Sequence, residues 1–313
     1  MISKKNIPLQ TSMRYPPKQS FINVKGITFC VEERGDPLGP PIVLIMGLAC
    51  QMTHWPESLL NGLSEQGYRV IRFDNRDIGL SDKVGSTIRV NTRLAYLTHK
   101  LGLHPLANYT LHDMANDTAN LMTALKIKHA HIVGVSMGGM ISQLLAANYP
   151  DQVRTLTTIM SSTNAPRLPM PKTSLMLKLG KQGKAKNDMA AVTKRWQQFW
   201  QAVQSPGYPT PSADIRALME ANYLRSYSPG GTIRQIQAIL ATGSLEKAIQ
   251  DITAPTLVIH GASDPLLRPS CGRAISNQIN GAKFRLIPKM GHDLPEQLIP
   301  QFVHLISEHA KQN

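Results

Sequence analysis

The stretch AHIVGVSMGGMISQLLAANY, residues 130–149, decides the fold. Its first part is largely apolar and predicts a strand over Ala130–Val135. Apolar residues at helical spacing then predict a helix over Met137–Tyr149, which Pro150 ends. A buried strand that runs directly into a helix is typical of folds in which helices cover a parallel sheet. Ser136 lies at the junction.

The residues around this junction, Gly134-Val-Ser136-Met-Gly138, match the pattern G-x-S-x-G. A serine on such a tight turn has strained backbone geometry and close backbone neighbours, so the residues two before and two after it must be small. The turn lifts the hydroxyl above the sheet and points the helix N-terminus at it, which favours negative charge there. The motif also fits an ordinary glycine-rich turn, but its place between a strand and a helix favours a nucleophilic serine.

Short apolar runs bounded by turn residues alternate with helical patterns on both sides of this stretch. Further strands are predicted over Phe21–Val24, Ile27–Glu33, Ile42–Met46, Tyr68–Phe73, Val153–Met160, Thr256–His260 and Lys283–Ile287. Further helices are predicted over Trp55–Gln66, His112–Leu125 and about Pro300–Ala310. This alternation predicts an α/β fold with a mostly parallel, twisted sheet that is covered by helices on both faces.

The alternation breaks between Ser162 and Thr242, where no convincing strand is found. Helical patterns there cover Leu175–Lys181, Ala190–Val203 and Ile215–Tyr227. A helical insertion within an α/β domain is expected to lie over one edge of the sheet as a cap. The sequence therefore predicts a core domain from residues 1–161 and 243–313, with a helical cap at 162–242.

A serine hydroxyl becomes a strong nucleophile when a histidine accepts its proton and an acid orients that histidine. Asp264 follows a predicted strand in the loop Gly-Ala-Ser-Asp264, and His292 follows the next strand in Lys-Met-Gly-His292. Because ligands bind at the carboxyl ends of parallel strands, both positions lie at the correct edge of the sheet. We expect Ser136, His292 and Asp264 to form a catalytic triad.

Other candidates for this chemistry are weaker. Asp251 precedes its strand and lies at the opposite edge of the sheet, and the side chain of Asp293 diverges from that of the adjacent histidine. His260 ends a strand and fits a packing role. The histidines and cysteines lack metal-ligand spacing, and no P-loop or G-x-G-x-x-G is present, so neither a metal nor an organic cofactor is expected.

Hydrolysis through a serine also requires two backbone N–H groups that bind the oxyanion. The residue after the nucleophile, Met137, is expected to provide one of them. The loop Met46-Gly-Leu48-Ala follows a buried strand and contains a glycine that lets the chain turn close to the serine. Leu48 is therefore expected to provide the second donor.

Composition limits the remaining possibilities. The chain has 313 residues and a net charge of +14, from 34 Lys and Arg against 20 Asp and Glu. A nucleic-acid partner is disfavoured because no nucleic-acid motif is recognisable, and the cations instead concentrate between Arg167 and Arg195. That basic stretch fits a solvated face, or one directed at anionic substrates or lipid surfaces. No apolar run is long enough to span a membrane, and the N-terminus lacks the apolar region of a secretory signal, so a cytoplasmic location is expected.

Over nearly its whole length the chain resembles the α/β-hydrolase superfamily, and it is most similar to the esterase-like branch that includes anthracycline methylesterases such as aclacinomycin methylesterase. The resemblance is carried by MGLACQMTHWPESL (46–59), VIRFDNRDIGLSD (70–82), YTLHDMANDTANLMTAL (109–125), GVSMGGM (134–140), APTLVIHGASDPL (254–266) and MGHDLP (290–295).

This resemblance implies a hydrolase of carboxylic esters with Ser136 as nucleophile, His292 as base and Asp264 as acid. It also implies Leu48 and Met137 as oxyanion donors, and it makes the turn 74–76 a hydrogen-bonded scaffold. Two departures concern pocket polarity: Met46 and Val135 stand where many relatives have histidine. The apolar cap residues favour a small-molecule ester with an apolar acyl or alcohol group.

Three alternatives stay open at this point. The same triad supports carbon–carbon bond hydrolysis and cofactor-free perhydrolase chemistry. A receptor-like member of the superfamily would keep the pocket and bind its ligand with negligible turnover. Natural substrate and oligomeric state are left open by the sequence, since a fold does not fix a substrate.

Overall fold

The computed structural model describes residues 15–85, 92–169, 171–172, 175 and 188–312. Within these residues, eight strands form one sheet in the order β1-β2-β4-β3-β5-β6-β7-β8. The strands span Lys18–Val24 (β1), Ile27–Arg34 (β2), Pro41–Ile45 (β3), Arg69–Phe73 (β4), Ala130–Val135 (β5), Val153–Ile159 (β6), Thr256–Gly261 (β7) and Lys283–Ile287 (β8). β1 pairs antiparallel with β2, as does β2 with β4, and all other pairs are parallel. The predicted α/β sheet is confirmed.

Helices follow most of the strands. They span Glu57–Glu65 (α1), Thr92–Lys100 (α2), Leu111–Ala124 (α3), Met137–Asn148 (α4), Met189–Val203 (α5), Ser212–Arg225 (α6), Pro229–Thr242 (α7), Pro269–Gln278 (α8) and Ile299–Lys311 (α9). The three helices α5, α6 and α7, which lie between β6 and β7 in the chain, are called the inserted helices below. No described helix is long and apolar enough to cross a lipid bilayer.

Apolar side chains of the central strands point alternately to two cores, one on each face of the sheet. In β3, Val43 and Ile45 pack in the core that also contains residues of α3 and α4, whereas Ile42 and Leu44 pack in the core that contains residues of α1 and α9. This alternation follows from the period of two residues along a strand. All residues of β5 are buried, as the middle position of this strand requires.

Several helix boundaries differ from the prediction. α1 begins at Glu57 and not at Trp55, because Trp55 precedes a proline and takes an extended conformation after a short 3₁₀ turn at Met52–His54. The helices α2, α7 and α8 were not expected. α7 begins with Pro-Gly-Gly, a sequence that favours a turn, and α8 begins with Pro-Ser-Cys-Gly. The predicted helix Leu175–Lys181 lies, apart from its first residue, outside the described residues.

The parallel strands bring the predicted chemical groups to one edge of the sheet. Ser136 follows β5, Asp264 follows β7 and His292 follows β8, while the loop with Leu48 follows β3. Since these strands are parallel, their carboxyl ends meet, and residues far apart in sequence become neighbours. Asp251, in contrast, is exposed ahead of β7.

A buried histidine makes the stability of the fold depend on pH. It is His131, near the start of β5 and so at the opposite end of the strand from Ser136. The Nδ1 atom of His131 lies 2.9 Å from Thr155 Oγ1, and its ring meets Tyr68 edge-on. Burial, aided by the positive charge of Arg154, lowers the pKa of His131 to about 4. Between about pH 6.5 and 4 the unfolded chain binds a proton here that the folded chain does not. Burial of the neutral His131 ring therefore causes no loss of stability above about pH 6.5. Below that pH, the free energy of unfolding falls progressively as the unfolded chain takes up the proton.

We predict that His131→Gln makes the free energy of unfolding less dependent on pH. Each pH unit below about 6.5 costs the wild type about 1.4 kcal/mol through this histidine. Urea unfolding at about pH 7 and pH 5 should show a loss that is smaller by roughly 2 kcal/mol in the variant. The exposed His112→Gln is the matched control and should behave as the wild type does. An equal pH dependence in all three proteins would contradict this assignment.

Candidate active site

Ser136 lies on a turn that only small neighbours permit. Its φ of 55° places it in the left-handed region, and its backbone N–H donates to the carbonyl of Ile159 over 3.0 Å. A Cβ atom on Gly138 would lie 2.0 Å from the carbonyl oxygen of Ile45, and one on Gly134 would lie 2.2 Å from the hydroxyl of Ser142. Neither distance is possible between atoms that are not bonded to each other. The small residues required by the motif are therefore required by the backbone packing of this turn.

The structure brings together the three residues predicted for nucleophilic chemistry. His292 Nε2 lies 3.1 Å from Ser136 Oγ, and His292 Nδ1 lies 2.7 Å from Asp264 Oδ2. The three side chains thus form a continuous hydrogen-bonded series. In this arrangement the imidazole can accept the hydroxyl proton while the carboxylate holds its tautomer and stabilises its charged form.

The carboxylate of Asp264 is held in one orientation by the loop that carries it. It is buried, and its Oδ1 accepts the backbone N–H groups of Leu266 and Leu267 over 2.8 and 2.9 Å. Burial alone would raise its pKa, but the charge of His292 and hydrogen bonds from His260 and His292 lower the pKa of Asp264 to about 2. The group is therefore ionised at neutral pH.

Two other residues weighed for this chemistry take structural positions. His260 is fully buried, and its Nε2 lies 2.8 Å from the carbonyl oxygen of Leu267 and 3.5 Å from Asp264 Oδ2. It therefore packs behind the carboxylate. Asp293 accepts a hydrogen bond from the hydroxyl of Ser205, and burial raises the pKa of Asp293. The ring nitrogen of His292 that needs an acid partner is bonded to Asp264.

Two backbone amides near Ser136 have no acceptor. Among the described residues, the N–H groups of Leu48 and Met137 donate to no protein atom. Met137 is the first residue of α4, where helical geometry leaves the N–H without an intrahelical partner. Gly47 lies close enough for a Cβ there to contact the Cβ of Ser136 at 3.2 Å. Both amides are thus next to the serine and available to an anionic oxygen.

The loop with Leu48 is fixed by contacts at its neighbours. Asn75 Nδ2 donates to the carbonyl of Met46 over 2.9 Å, and the N–H of Ala49 donates to Gln235 Oε1 over 2.9 Å. Ala49 has a φ of 61°, so the chain reverses sharply at this point. Gln235 is fully buried on α7, and its Nε2 also donates to the carbonyl of Arg76 over 3.0 Å. One side chain of the inserted helices therefore joins two loops of the core.

Two buried ion pairs fix the inserted helices on these loops. Arg225, at the end of α6, lies 2.7 Å from Asp74 Oδ2, and Arg234 on α7 lies 2.6 Å from Asp77 Oδ1. Both aspartates are fully buried. A buried carboxylate without a cation is strongly unfavourable, so the position of these two helices follows from the turn after β4.

The inserted helices also contact the loop of His292. The backbone N–H of His292 donates to the carbonyl of Val203, the last residue of α5, over 2.8 Å. The N–H of Gly291 donates to the hydroxyl of Ser205 over 2.8 Å. A Cβ on Gly291 would lie 2.4 Å from the carbonyl oxygen of Val203, so these two segments of the backbone lie in direct contact. The histidine is therefore held from the side of the inserted helices as well as from β8.

A cavity of about 790 Å³ opens above Ser136 and His292. Apolar groups dominate its wall, and α5 contributes three aromatic side chains, Trp196, Phe199 and Trp200, with ring centres 5.6–5.7 Å apart in edge-on contacts. His54 tilts against Trp200 at 5.8 Å between ring centres. Burial lowers the pKa of His54 to about 4, so this part of the wall is uncharged at neutral pH.

Sequence reasoning missed the residues of the inserted helices, and of the loop after α5, that build the site. Gln235 and Ser205 act through side-chain hydrogen bonds to distant loops, and no local pattern marks such a contact. In the sequence, the aromatic residues of α5 stand at helical spacing, a pattern that fits a simple core as well as a pocket. The structure places them on the cavity wall.

The fold and this arrangement of serine, histidine and carboxylate define an α/β hydrolase. The family profile described as the alpha/beta hydrolase fold matches residues 40–297, and the chain belongs to this family. The family suggested by the sequence motifs is thereby confirmed.

Curated relatives match most of the chain. It is 26% identical over 305 residues to the rhodomycin D methylesterases of Streptomyces sp. strain C5 and Streptomyces peucetius, with 91% of this chain and 95% of each relative covered. It is also 26% identical over 293 residues to the 2-(acetamidomethylene)succinate hydrolase of Mesorhizobium japonicum, with 92% of this chain and 88% of that protein covered.

Solved structures share the fold. An esterase from Exiguobacterium antarcticum has a TM-score of 0.74 at 21% identity, covering 94% of this chain and 100% of its own. The enol-lactonase from Burkholderia xenovorans has a TM-score of 0.72 at 21% identity, covering 93% of this chain and 100% of its own. At this identity the similarity supports the architecture and not a substrate.

We predict that Gln235→Met loosens the loop that carries Leu48. The N–H of Ala49 would lose its acceptor, Gln235 Oε1. Without this hydrogen bond, the loop around Leu48 should open locally at a lower cost in free energy. Hydrogen exchange of peptides that cover residues 46–50 should accelerate about tenfold. Gln237→Met is the matched control, because this buried glutamine lies about 200° around the same helix. Equal exchange in both variants would contradict a specific role for Gln235.

Proposed function

We propose that this chain is a serine hydrolase that cleaves carboxylic esters through an acyl-enzyme intermediate. Ser136 is the nucleophile, His292 the general base and acid, and Asp264 the group that orients the histidine. The observation that carries the proposal is the series Ser136 Oγ, His292 Nε2, His292 Nδ1 and Asp264 Oδ2, with 3.1 and 2.7 Å contacts beside an apolar cavity. No step requires a metal or an organic cofactor.

In the first half-reaction, the hydroxyl oxygen of Ser136 attacks the ester carbonyl carbon while His292 takes the hydroxyl proton. The carbonyl oxygen gains a negative charge, which the N–H groups of Leu48 and Met137 bind. Collapse of the tetrahedral intermediate breaks the bond to the alcohol oxygen, and His292 returns its proton to that oxygen. In the second half-reaction, His292 takes a proton from the water that attacks the acyl carbonyl carbon. The bond from that carbon to Ser136 Oγ then breaks, His292 returns the proton to Oγ, and the acid is released.

The ionised state of Asp264 favours this sequence. When His292 accepts a proton, its charge lies 2.7 Å from a buried carboxylate whose pKa is held at about 2. This attraction stabilises the charged histidine formed in the transition state. A carboxylate that was protonated at neutral pH would not provide it.

The cavity suggests the class of ester. Its volume of about 790 Å³ far exceeds the space that a small alkyl ester fills, and the aromatic side chains of α5 give it an apolar wall suited to planar rings. The Streptomyces relatives are named as methylesterases of rhodomycin D. We therefore propose as substrates small alkyl esters, methyl esters among them, of a bulky, apolar and ring-containing acid.

The proposal includes the division of the chain. Residues 1–161 and 243–313 form the hydrolase core, and residues 162–242 form a cap that closes over Ser136. In support, α5 contributes the aromatic wall of the cavity, and α6 and α7 are joined to the core by ion pairs. A cytoplasmic location stays a prediction from the sequence, with which the free state of the three cysteines agrees.

We predict that Ser136→Ala abolishes both turnover and covalent labelling. A fluorophosphonate should add once to the wild type, as read by intact mass, and not at all to the variant. Hydrolysis of p-nitrophenyl butyrate should fall by at least about 10³-fold, because the nucleophile is lost. The melting temperature of the variant serves as the control for folding.

This experiment, extended to other substrates, separates the alternatives. A folded wild type that is neither labelled nor active would contradict the serine esterase proposal and favour a receptor-like binding protein. Labelling with turnover of vinylogous diketones but not of esters would favour carbon–carbon bond hydrolysis. Halogenation that depends on peroxide and a carboxylic acid, without ester hydrolysis, would favour a perhydrolase.

We predict that Trp200→Ala weakens the binding of large ring-containing esters selectively. The KM for the methyl ester of a fused-ring aromatic acid should rise about tenfold, because the ring loses a stacking surface. The KM for p-nitrophenyl acetate should stay nearly unchanged and provides the internal control. If both KM values rose together, Trp200 would have a structural role and would not contact the substrate.

A further inference from the structure

The helix α2 and the loop after it expose an unusual number of leucines. Leu94, Leu97, Leu101, Leu103 and Leu106 have exposed fractions of 59, 55, 68, 57 and 76%, respectively. These five residues are called the leucine surface. Single exposed leucines need no explanation, but a group of them within 13 residues indicates an interaction surface for an apolar partner.

Two leucines of α2 and the residue directly after the helix form a single outward stripe. Leu94, Leu97 and Leu101 stand three and then four residues apart, within about 60° around the helix axis. The opposite face carries the buried Ala95 and His99. His99 Nδ1 lies 3.3 Å from the carbonyl oxygen of Leu240 in α7, so α2 is docked on the inserted helices by its inner face. The leucines of the stripe remain more than half exposed after this docking.

The chain around the leucine surface lacks acidic residues. From position 83 to position 112 it contains no Asp or Glu, and its cations are Lys83, Arg89, Arg93 and Lys100. A second acid-free stretch runs from position 152 to position 187, with Arg154, Arg167, Lys172, Lys178, Lys181, Lys184 and Lys186. The whole chain carries a net charge of +14. A stretch that carries cations and no acids suits an anionic partner wherever it is exposed.

The structure joins these two stretches. Lys100 Nζ, on α2, donates to the carbonyls of Pro166 and Leu168 over 2.5 and 3.0 Å. The side chain of Arg167 is 70% exposed beside them, with Glu246 as its ion-pair partner. Lys172 is also exposed. The exposed leucines of the first stretch and the exposed cations Arg167 and Lys172 of the second therefore occur in one region of the molecule.

We propose that the leucine surface docks the protein on an anionic lipid surface. Leucine side chains gain free energy by entering the boundary between headgroups and acyl chains, and nearby cations are attracted to anionic headgroups. A second copy of this chain fits less well, because it would bring another net charge of +14 against the first. A nucleic acid would use the cations but leave the leucines exposed to water.

Vesicle sedimentation tests this proposal with the full-length protein. Wild type should bind vesicles of an equal mixture of phosphatidylcholine and phosphatidylglycerol much more tightly than vesicles of phosphatidylcholine alone, and high salt should weaken the binding. The double variant Leu97→Ser, Leu101→Ser should bind at least about tenfold more weakly, since two inserted apolar side chains are lost. Its melting temperature should not fall, because both side chains are exposed.

The matched control is Leu38→Ser with Leu224→Ser, which removes two leucines that are 93 and 74% exposed outside the leucine surface. This control should bind vesicles as the wild type does. Absence of binding by wild type, or equal losses in both double variants, would overturn the proposal. A wild-type oligomer that only Leu97→Ser, Leu101→Ser dissociates, without vesicle binding, would instead show a protein interface. These readouts do not depend on ester hydrolysis, so they are independent of the proposed activity.

Discussion

The approach of two backbone segments beneath Ser136 is the constraint on which the site depends. Gly138, in the first turn of α4, lies so close to the end of β3 that a Cβ atom would come within 2.0 Å of the carbonyl oxygen of Ile45. This contact brings the amides at the start of α4 next to the loop that follows β3. The positive φ of Ser136 is a consequence of the same tight turn, and the surrounding sheet maintains that strain.

The other half of the site depends on long-range contacts with the inserted helices and with the loop that follows α5. Gln235 fixes the loop beside Leu48, and Ser205 fixes the loop beside His292. Both side chains are fully buried, so these hydrogen bonds form in a medium of low polarity where they direct geometry strongly. The buried pairs of Arg225 with Asp74 and Arg234 with Asp77 set where the inserted helices sit. In this protein the helices above the cavity form part of the framework of the site.

The sequence predicted the sheet and the positions of Ser136, Asp264 and His292, because each follows a strand whose apolar run is easily recognised. The prediction was poorer where tertiary contacts replace local pattern. In α2 the leucines face solvent, so periodicity did not mark the helix, and in α7 an initial Pro-Gly-Gly concealed it. The roles of Gln235 and Ser205 arise only from folding, since each contacts a loop that is distant in sequence.

The distribution of acids makes the surface more one-sided than the composition suggests. Asp74, Asp77 and Asp117 are buried, and each is paired with an arginine, while Asp264 is buried against His292. Each buried Arg–Asp pair removes one charge of each sign from the surface and leaves the excess of cations unchanged. The acids that remain exposed are therefore a smaller fraction of the surface charge than 20 of 54 charged residues would indicate. A polyanionic surface would attract the protein most strongly where acids are absent from the sequence, in the stretches 83–112 and 152–187.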